Sequence, residues 1–262
     1  MTRETEEKLA GSLTAETTEL VPFLPYLLQD FWELGSDPGV MAWLIEKHVD
    51  VSAHTKVLDL GSGKGAVSVR LAQKLGVRVK GVDLLPEFVA VAAQKAEEYQ
   101  VGALCEFVVG DINAAVQTER GYDVVILGAV GDVLGTPVET LCKLSQTIRS
   151  GGYILIDEGY LPDDGAQADV QYDNYEYLTK AEWEALFEAA GLDLIETVSE
   201  WENQENPDSD AGMERITRRA HELMEQYPDK KDIFEGYIRS QQAEYEDLDS
   251  NIVCVTWILK KR

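Results

Sequence analysis

The stretch Asp59-Leu60-Gly61-Ser62-Gly63-Lys64-Gly65 constrains the fold of this chain more than any other. It follows the apolar pair Val57-Leu58 and precedes an amphipathic segment running from Ala66 to Leu75. The pattern predicts a strand, a tight glycine turn and a helix, with an acid placed just before the turn. Glycines let the backbone take φ > 0 and let a ligand approach the main chain closely. The helix start that follows offers free N–H groups. A turn built this way suits a nucleotide-type ligand.

Downstream, β and α signals alternate. Val77 to Asp83 reads as a second strand ending in an acid, and Pro86 then sits where a first helical turn tolerates it, ahead of a helix from Glu87 to Tyr99. Glu106 to Val109 is a third strand, ending at Gly110-Asp111, and Tyr122 to Leu127 a fourth, ending at Gly128. A helix is expected from Thr140 to Arg149, closed by Gly151-Gly152, before a fifth strand from Tyr153 to Ile156 that ends at Asp157-Glu158. Thr179-Lys180-Ala181-Glu182 fits a capping box for a helix ending near Gly191. Leu192 to Val198 is a sixth strand and Ile252 to Leu259 a last one. Apolar strands separated by helices predict an α/β fold with a mostly parallel sheet covered on both faces.

Two segments fall outside this alternation. Residues 1–50 include an aromatic, apolar run from Leu20 to Leu34 and the turn Gly35-Ser36-Asp37-Pro38-Gly39, and are expected to form an N-terminal helical cap. The main domain is then 51–262, with an acidic helical insertion at about 200–250, starting near Trp201, that serves as a lid or a dimer contact.

Composition narrows the class of partner. At 262 residues with 45% apolar content the chain has ample core, and no window approaches a membrane-spanning run. A net charge of −25 repels phosphate backbones and anionic membranes, so neither nucleic acid nor membrane is an expected partner. The polar, acidic start of the chain is unlike a secretory signal. Cys105, Cys142 and Cys254 lie far apart, as do His48, His54 and His221. Both sets argue for reduced thiols, a cytoplasmic protein and no metal centre. A monomer or homodimer is expected.

Three ligands compete for the glycine turn. A P-loop needs glycine at position 58 and Ser or Thr at 65; Leu58 and Gly65 stand there, which rules it out. Gly61, Gly63 and Ala66 do satisfy the dinucleotide fingerprint G-x-G-x-x-G/A, with Asp83 at the expected distance, so spacing alone leaves NAD open. Asp59, however, would repel a pyrophosphate and suits a cofactor carrying an ammonium group. Asp111, ending the third strand, is placed to accept a hydrogen bond from an adenine amino group.

With these pieces together, and with Gly81-Val82-Asp83, Gly110-Asp111-Ile112, Tyr122-Asp123-Val124-Val125 and Ile148 to Leu155, the chain resembles the class I S-adenosylmethionine-dependent methyltransferases. The resemblance runs from about Lys56 to Ile156 and more loosely to Leu259. It implies a Rossmann-like three-layer sandwich with a seven-stranded sheet, the last strand antiparallel, and S-adenosyl-L-methionine as cofactor. Ser150 stands where that family often has proline, and the insertion before the last strand is larger than usual.

The resemblance also implies roles. Gly61, Ser62, Gly63 and Gly65 would line the floor under the methionine part of the cofactor, and Asp59 would orient its ammonium group through water or neighbouring backbone. Asp83 would take both ribose hydroxyls, because one carboxylate offers two acceptors to a diol. Leu84 and Ile112 would flank the adenine and Asp111 would read its amine. Leu127 and Gly128 would approach the methionine segment. Asp123, at a strand start, is structural.

Methyl transfer to a small-molecule acceptor is the expected function. The alternatives are a protein that binds the cofactor or its nucleoside without transfer, and an NAD-dependent oxidoreductase. No residue pair declares itself a general base; Asp132, Glu158 and Tyr160 are weak candidates for catalysis, and Trp32 for closing the pocket. Leu127-Gly128-Ala129-Val130 replaces the Asn-Pro-Pro-Tyr-type motif that would favour amide or base nitrogens of macromolecules.

Overall fold

The computed structural model describes residues 2–162, 170–171, 175, 177–199 and 209–262. The expected helix start near Trp201 falls at 200–208, outside the described residues. Contacts divide the chain into two compact units. One comprises 32–158, 181–198 and 255–262, and the other 1–31, 159–180 and 199–254.

The first of these holds the sheet. Its strands are β1 (Lys56–Leu60), β2 (Arg78–Asp83), β3 (Cys105–Val109), β4 (Tyr122–Gly128), β5 (Ile148–Tyr160), β6 (Leu192–Ser199) and β7 (Val253–Lys261), in the spatial order β3-β2-β1-β4-β5-β7-β6. The pairings β1–β2, β1–β4, β2–β3 and β4–β5 are parallel, and β7 is antiparallel. The order reverses between β1, which continues outward to β2, and β4, which starts the other half. Open α/β sheets bind ligands at such a switch point, beyond the strands' carboxyl ends.

Parallel register brings side chains of like facing into one layer. Val57, Val79, Val124, Ile126, Leu155 and Ile258 share a buried cluster with Met41, Leu44 and Ile45 of a helix over Pro38–His48 and with Val69, Leu71 and Ala72 of a helix over Ala66–Leu75. Asp59 opposes Gly81 on β2 and Ile126 on β4, and Gly128 opposes Asp157 on β5. The alternation of strands therefore puts Asp59, Gly128 and Asp157 on this same face, at its carboxyl edge.

One helix lies away from its sequence-based bounds. Pro137–Thr147 replaces the expected 140–149, because Thr136 and Glu139 form a capping box that starts it three residues earlier. Strand β5 then begins at Ile148, so Gly151-Gly152 fall inside the strand instead of closing a helix. They absorb an irregularity of register in which Tyr122 pairs with Ile148 but Val124 with Tyr153. Asp123, read as structural, accepts from the Lys56 backbone N–H at 2.8 Å and from Arg149 at 2.6 Å.

The other unit is mostly helical. It contains helices over Arg3–Ser12, Leu24–Leu27, Ser209–Gln226 and Lys231–Ser250, with a 3-10 turn over Thr18–Phe23. Phe23 packs edge-on against Tyr227 and Phe234, with ring centroids 5.1 Å apart in both pairs. An ionic net adds to this contact. Arg219 grips Asp30 through two nitrogens at 2.7 and 2.8 Å, Arg218 reaches the same carboxylate, and Tyr26 donates to Glu222 at 2.6 Å. The guanidinium of Arg219 holds the Asp30 carboxyl down at about 2. No helix among the described residues is long and apolar enough to cross a membrane.

Candidate cofactor site

Gly61, Gly63 and Gly65 all take left-handed backbone angles, with φ of 74°, 51° and 76°. Glycine is required here for space as well as for backbone freedom. A Cβ on Gly61 would lie 2.6 Å from Val130, and one on Gly65 would lie 2.7 Å from Ala92 and 3.0 Å from the Phe107 ring.

The turn's own N–H groups are engaged inside the protein. Gly61 and Ser62 donate to the Val82 carbonyl at 2.9 and 3.1 Å, and Gly65 donates to the Ser62 carbonyl at 2.8 Å. Gly63 donates to the Asp83 carboxylate at 2.8 Å. The N–H groups of Gly61, Ser62 and Gly63 are thus tied to β2 and that of Gly65 closes the turn on itself; the helix start that the sequence pointed to follows at Ala66. A phosphate cradle needs such groups pointing outward. Lys64 points away too: only 4% exposed, its ammonium lies 5.2 Å from the Phe88 ring centroid. The turn is therefore a low platform edged by carboxylates.

Asp83 anchors that platform. It is the last residue of β2, and its second oxygen accepts from the Leu85 N–H at 2.9 Å. Burial raises its carboxyl above the usual range, and the backbone bonds from Leu85 and Gly63 oppose that shift. Each carboxylate oxygen has a further lone pair for a ligand donor. Leu84 beside it is half-buried, and Ile112 is buried as the first residue of the helix Ile112–Thr118. Asp111 is the N-cap of that helix and accepts from the Asn113 N–H at 2.8 Å. Asn113 in turn donates to the Val133 carbonyl at 3.1 Å, tying this helix to the loop after β4.

Asp59 sits deeper than the sequence suggested. It is 3% exposed and accepts from the Ser68 hydroxyl at 2.6 Å. Burial pushes its carboxyl up to about 6. It faces the helix after the turn, so any effect on a ligand's ammonium group passes through its neighbours. Ser62 presents a hydroxyl that is buried and has no hydrogen-bond partner among the described residues; it lies beside Gly81.

At the end of β4, Leu127 is buried and Gly128 half-buried, and Ala129 follows in the left-handed region at φ 52°. Asp132 is exposed within a 3-10 turn over Gly131–Leu134. On β5, Glu158 is half-buried and by strand alternation faces away from Asp157. Tyr160 ends that strand and belongs to the other unit. The structure therefore groups Asp59, Gly61, Ser62, Gly63, Gly65 and Asp83 closely, while Asp132 and Glu158 stand on different elements of the same unit.

Several contacts here were not legible in the sequence. Trp32 donates its indole N–H to the Lys64 carbonyl at 2.9 Å and stacks on Tyr99 at 5.2 Å, so it braces the turn. Leu34 lies 3.2 Å from the Cβ position of Gly63. Asp157 accepts from the Thr256 hydroxyl at 2.5 Å. Only the polar character of Asp157 at a strand end was a signal; the others depend on long-range packing. No cluster of His, Cys, Asp and Glu able to hold a metal is present among the described residues.

A seven-stranded sheet of this order, with a glycine turn after β1 and an acid at the end of β2, defines a Rossmann-like cofactor-binding domain. Residues 51–223 match the family model of a methyltransferase domain, and the chain belongs to that family. The protein YjhP of Escherichia coli is 32% identical over 150 residues, a match covering 55% of this chain and 60% of YjhP. The ubiquinone biosynthesis O-methyltransferase of Burkholderia thailandensis is 27% identical over 164 residues, covering 56% of this chain and 70% of that enzyme. In fold, the chain is similar to a SAM-dependent methyltransferase from Thiobacillus denitrificans crystallised with S-adenosyl-L-homocysteine. That likeness has a TM-score of 0.72 at 22% identity and covers 92% of this chain and 98% of the other.

Proposed function

We propose that the protein is a methyltransferase that uses S-adenosyl-L-methionine and passes the methyl group to a small-molecule acceptor. The observation that carries this reading is the glycine turn with its N–H groups engaged, the Asp83 carboxylate bonded to its middle and Asp59 buried on the strand before it. Such a platform disfavours a pyrophosphate and favours an adenosyl group with a cationic tail. The family membership supports the reading, and so does the small quinone-pathway role printed in the name of the Burkholderia relative.

In this account Asp83 holds the ribose diol, Leu84 and Ile112 sandwich the adenine, and Asp111 accepts from its amine. Gly61, Gly63 and Gly65 allow the methionine part to lie against the main chain. When bound, the cofactor supplies a methyl group already activated on a sulfonium. The chain's own task is then to orient the acceptor and exclude water. A proton acceptor is needed only where the acceptor's pKa demands one. The acidic surface suits soluble small molecules in preference to nucleic acid or membrane, in a cytoplasmic setting.

The reading is tested by incubating purified protein with methyl-labelled cofactor and a metabolite extract, then identifying the labelled product. Transfer of label to a low-molecular-weight compound is expected. Binding without any release of the demethylated cofactor, across a broad acceptor panel, would instead indicate a binding protein.

A further inference from the structure

The residue Gly128 closes β4 with no positive φ, so its backbone does not demand glycine. Glycine in a strand commonly marks the close approach of a ligand or another chain segment. Here a Cβ would collide with the hydroxyl of Ser36 and stand 3.5 Å from the Asp157 carboxylate. Ser36 is only 9% exposed, and its hydroxyl is buried with no hydrogen-bond partner among the described residues. Orphaned buried hydroxyls are rare in native proteins and ask for an explanation.

The path of the surrounding segment supplies one. Leu34 lies 3.2 Å from the Cβ position of Gly63, and Ala129 lies 2.5 Å from that of Gly35. Residues 34–36 thus run from the glycine turn to the end of β4, along the floor assigned above to the methionine part of the cofactor. Trp32 fixes the start of this run by bonding the Lys64 carbonyl. Asp59 is turned into the protein and bonded to Ser68, which leaves the amino-acid end of the cofactor without a direct side-chain ligand from β1.

We propose that Ser36, set against Gly128 and beside the Asp157 carboxylate, hydrogen-bonds the amino-acid end of the cofactor at its ammonium group. A hydroxyl oxygen accepts from an ammonium, and a neighbouring carboxylate makes the slot electrostatically favourable to a cation. Ser36 is then a cofactor ligand supplied by the segment that precedes the sheet. This inference rests on the methyltransferase reading.

The test compares two probes on the full-length protein by calorimetry: S-adenosylhomocysteine, which keeps the amino-acid end, and 5′-methylthioadenosine, which lacks it. For Ser36→Ala we expect S-adenosylhomocysteine to bind about tenfold more weakly while 5′-methylthioadenosine binds as before, as loss of one charge-assisted hydrogen bond predicts. Gly128→Ala, which drives a methyl group into the same slot, should show the same selectivity. Equal changes for the two probes, or no change in either, would overturn the assignment of Ser36. A wild-type protein that binds neither probe would instead overturn the methyltransferase reading itself.

Discussion

The indole N–H of Trp32 is bonded to the carbonyl of Lys64 at 2.9 Å, and this fastens the segment ahead of the sheet to the middle of the glycine turn. Tyr99 stacks on the other side of the indole at 5.2 Å, and Arg70 and Lys95 lie over the ring at 5.1 and 5.4 Å. Trp32→Phe keeps the stacking and removes only the bond. A stability loss of about 1 kcal/mol is expected, together with a several-fold weaker affinity for S-adenosylhomocysteine. Thermal melting and calorimetric titration of the variant check both; unchanged affinity would mean that the turn holds its shape without this brace.

Asp59 should behave as a stability cost retained for function. Its carboxyl titrates near 6 in the fold, against about 4 in an unfolded chain. The folded state therefore binds the extra proton between those values, so stability falls as pH rises through roughly 4 to 6 and is flat above. Asp59→Asn keeps an acceptor for the Ser68 hydroxyl and removes the buried charge. The variant should be more stable than wild type by about 1–3 kcal/mol above pH 6 and should lose that advantage near pH 4. Urea melts at pH 4 and pH 7.5 measure the difference directly.

Asp30 should show the opposite sign. Its folded carboxyl lies near 2, below its unfolded value, because Arg219 and Arg218 hold it charged. Its contribution is present above about pH 4 and fades as pH falls toward 2. At pH 7, Asp30→Asn should cost about 1–2 kcal/mol, a range kept low because Arg218 is partly solvated. Raising the salt to about 1 M should shrink the difference, and a salt-insensitive cost would point to packing instead.

Gly65 is expected to tolerate no side chain. Its φ of 76° disfavours any L-residue, and a methyl group would press on Ala92 and the Phe107 ring at 2.7 and 3.0 Å. Gly65→Ala should destabilise by about 2–4 kcal/mol, combining backbone strain with overpacking. By contrast Gly121, also left-handed but with open space around its Cβ position, should cost only about 1–2 kcal/mol on the same change. Equal losses at the two sites would assign the whole effect to backbone.

The residues that could be read in advance are those whose meaning is local. Gly61, Gly63 and Gly65 advertise their left-handed angles by being glycine, and Asp83 stands at a fixed distance in a βαβ unit whose period sets the spacing. The mostly parallel sheet followed from the alternation of strands and helices, since parallel neighbours need crossovers. What stayed hidden was set by contacts across many residues. The Asp59–Ser68 bond depends on a turn of exact pitch bringing a helix face over β1, and the Trp32–Lys64 bond joins residues that nothing in the spacing relates. Ser36 looked like one residue of a turn-rich stretch until β4 was laid beneath it. The engaged N–H groups of Gly61 and Ser62 were hidden for the same reason: they depend on the position of the Val82 carbonyl.

The glycine turn of this chain is expected to receive an adenosyl sulfonium and not a dinucleotide. Isothermal titration of the purified protein with S-adenosyl-L-methionine and, separately, with NAD tests it most directly. Saturable binding of S-adenosyl-L-methionine, weakened at least about tenfold by Asp83→Ala, with no heat from NAD, is the predicted result. Saturable binding of NAD without binding of S-adenosyl-L-methionine would contradict it.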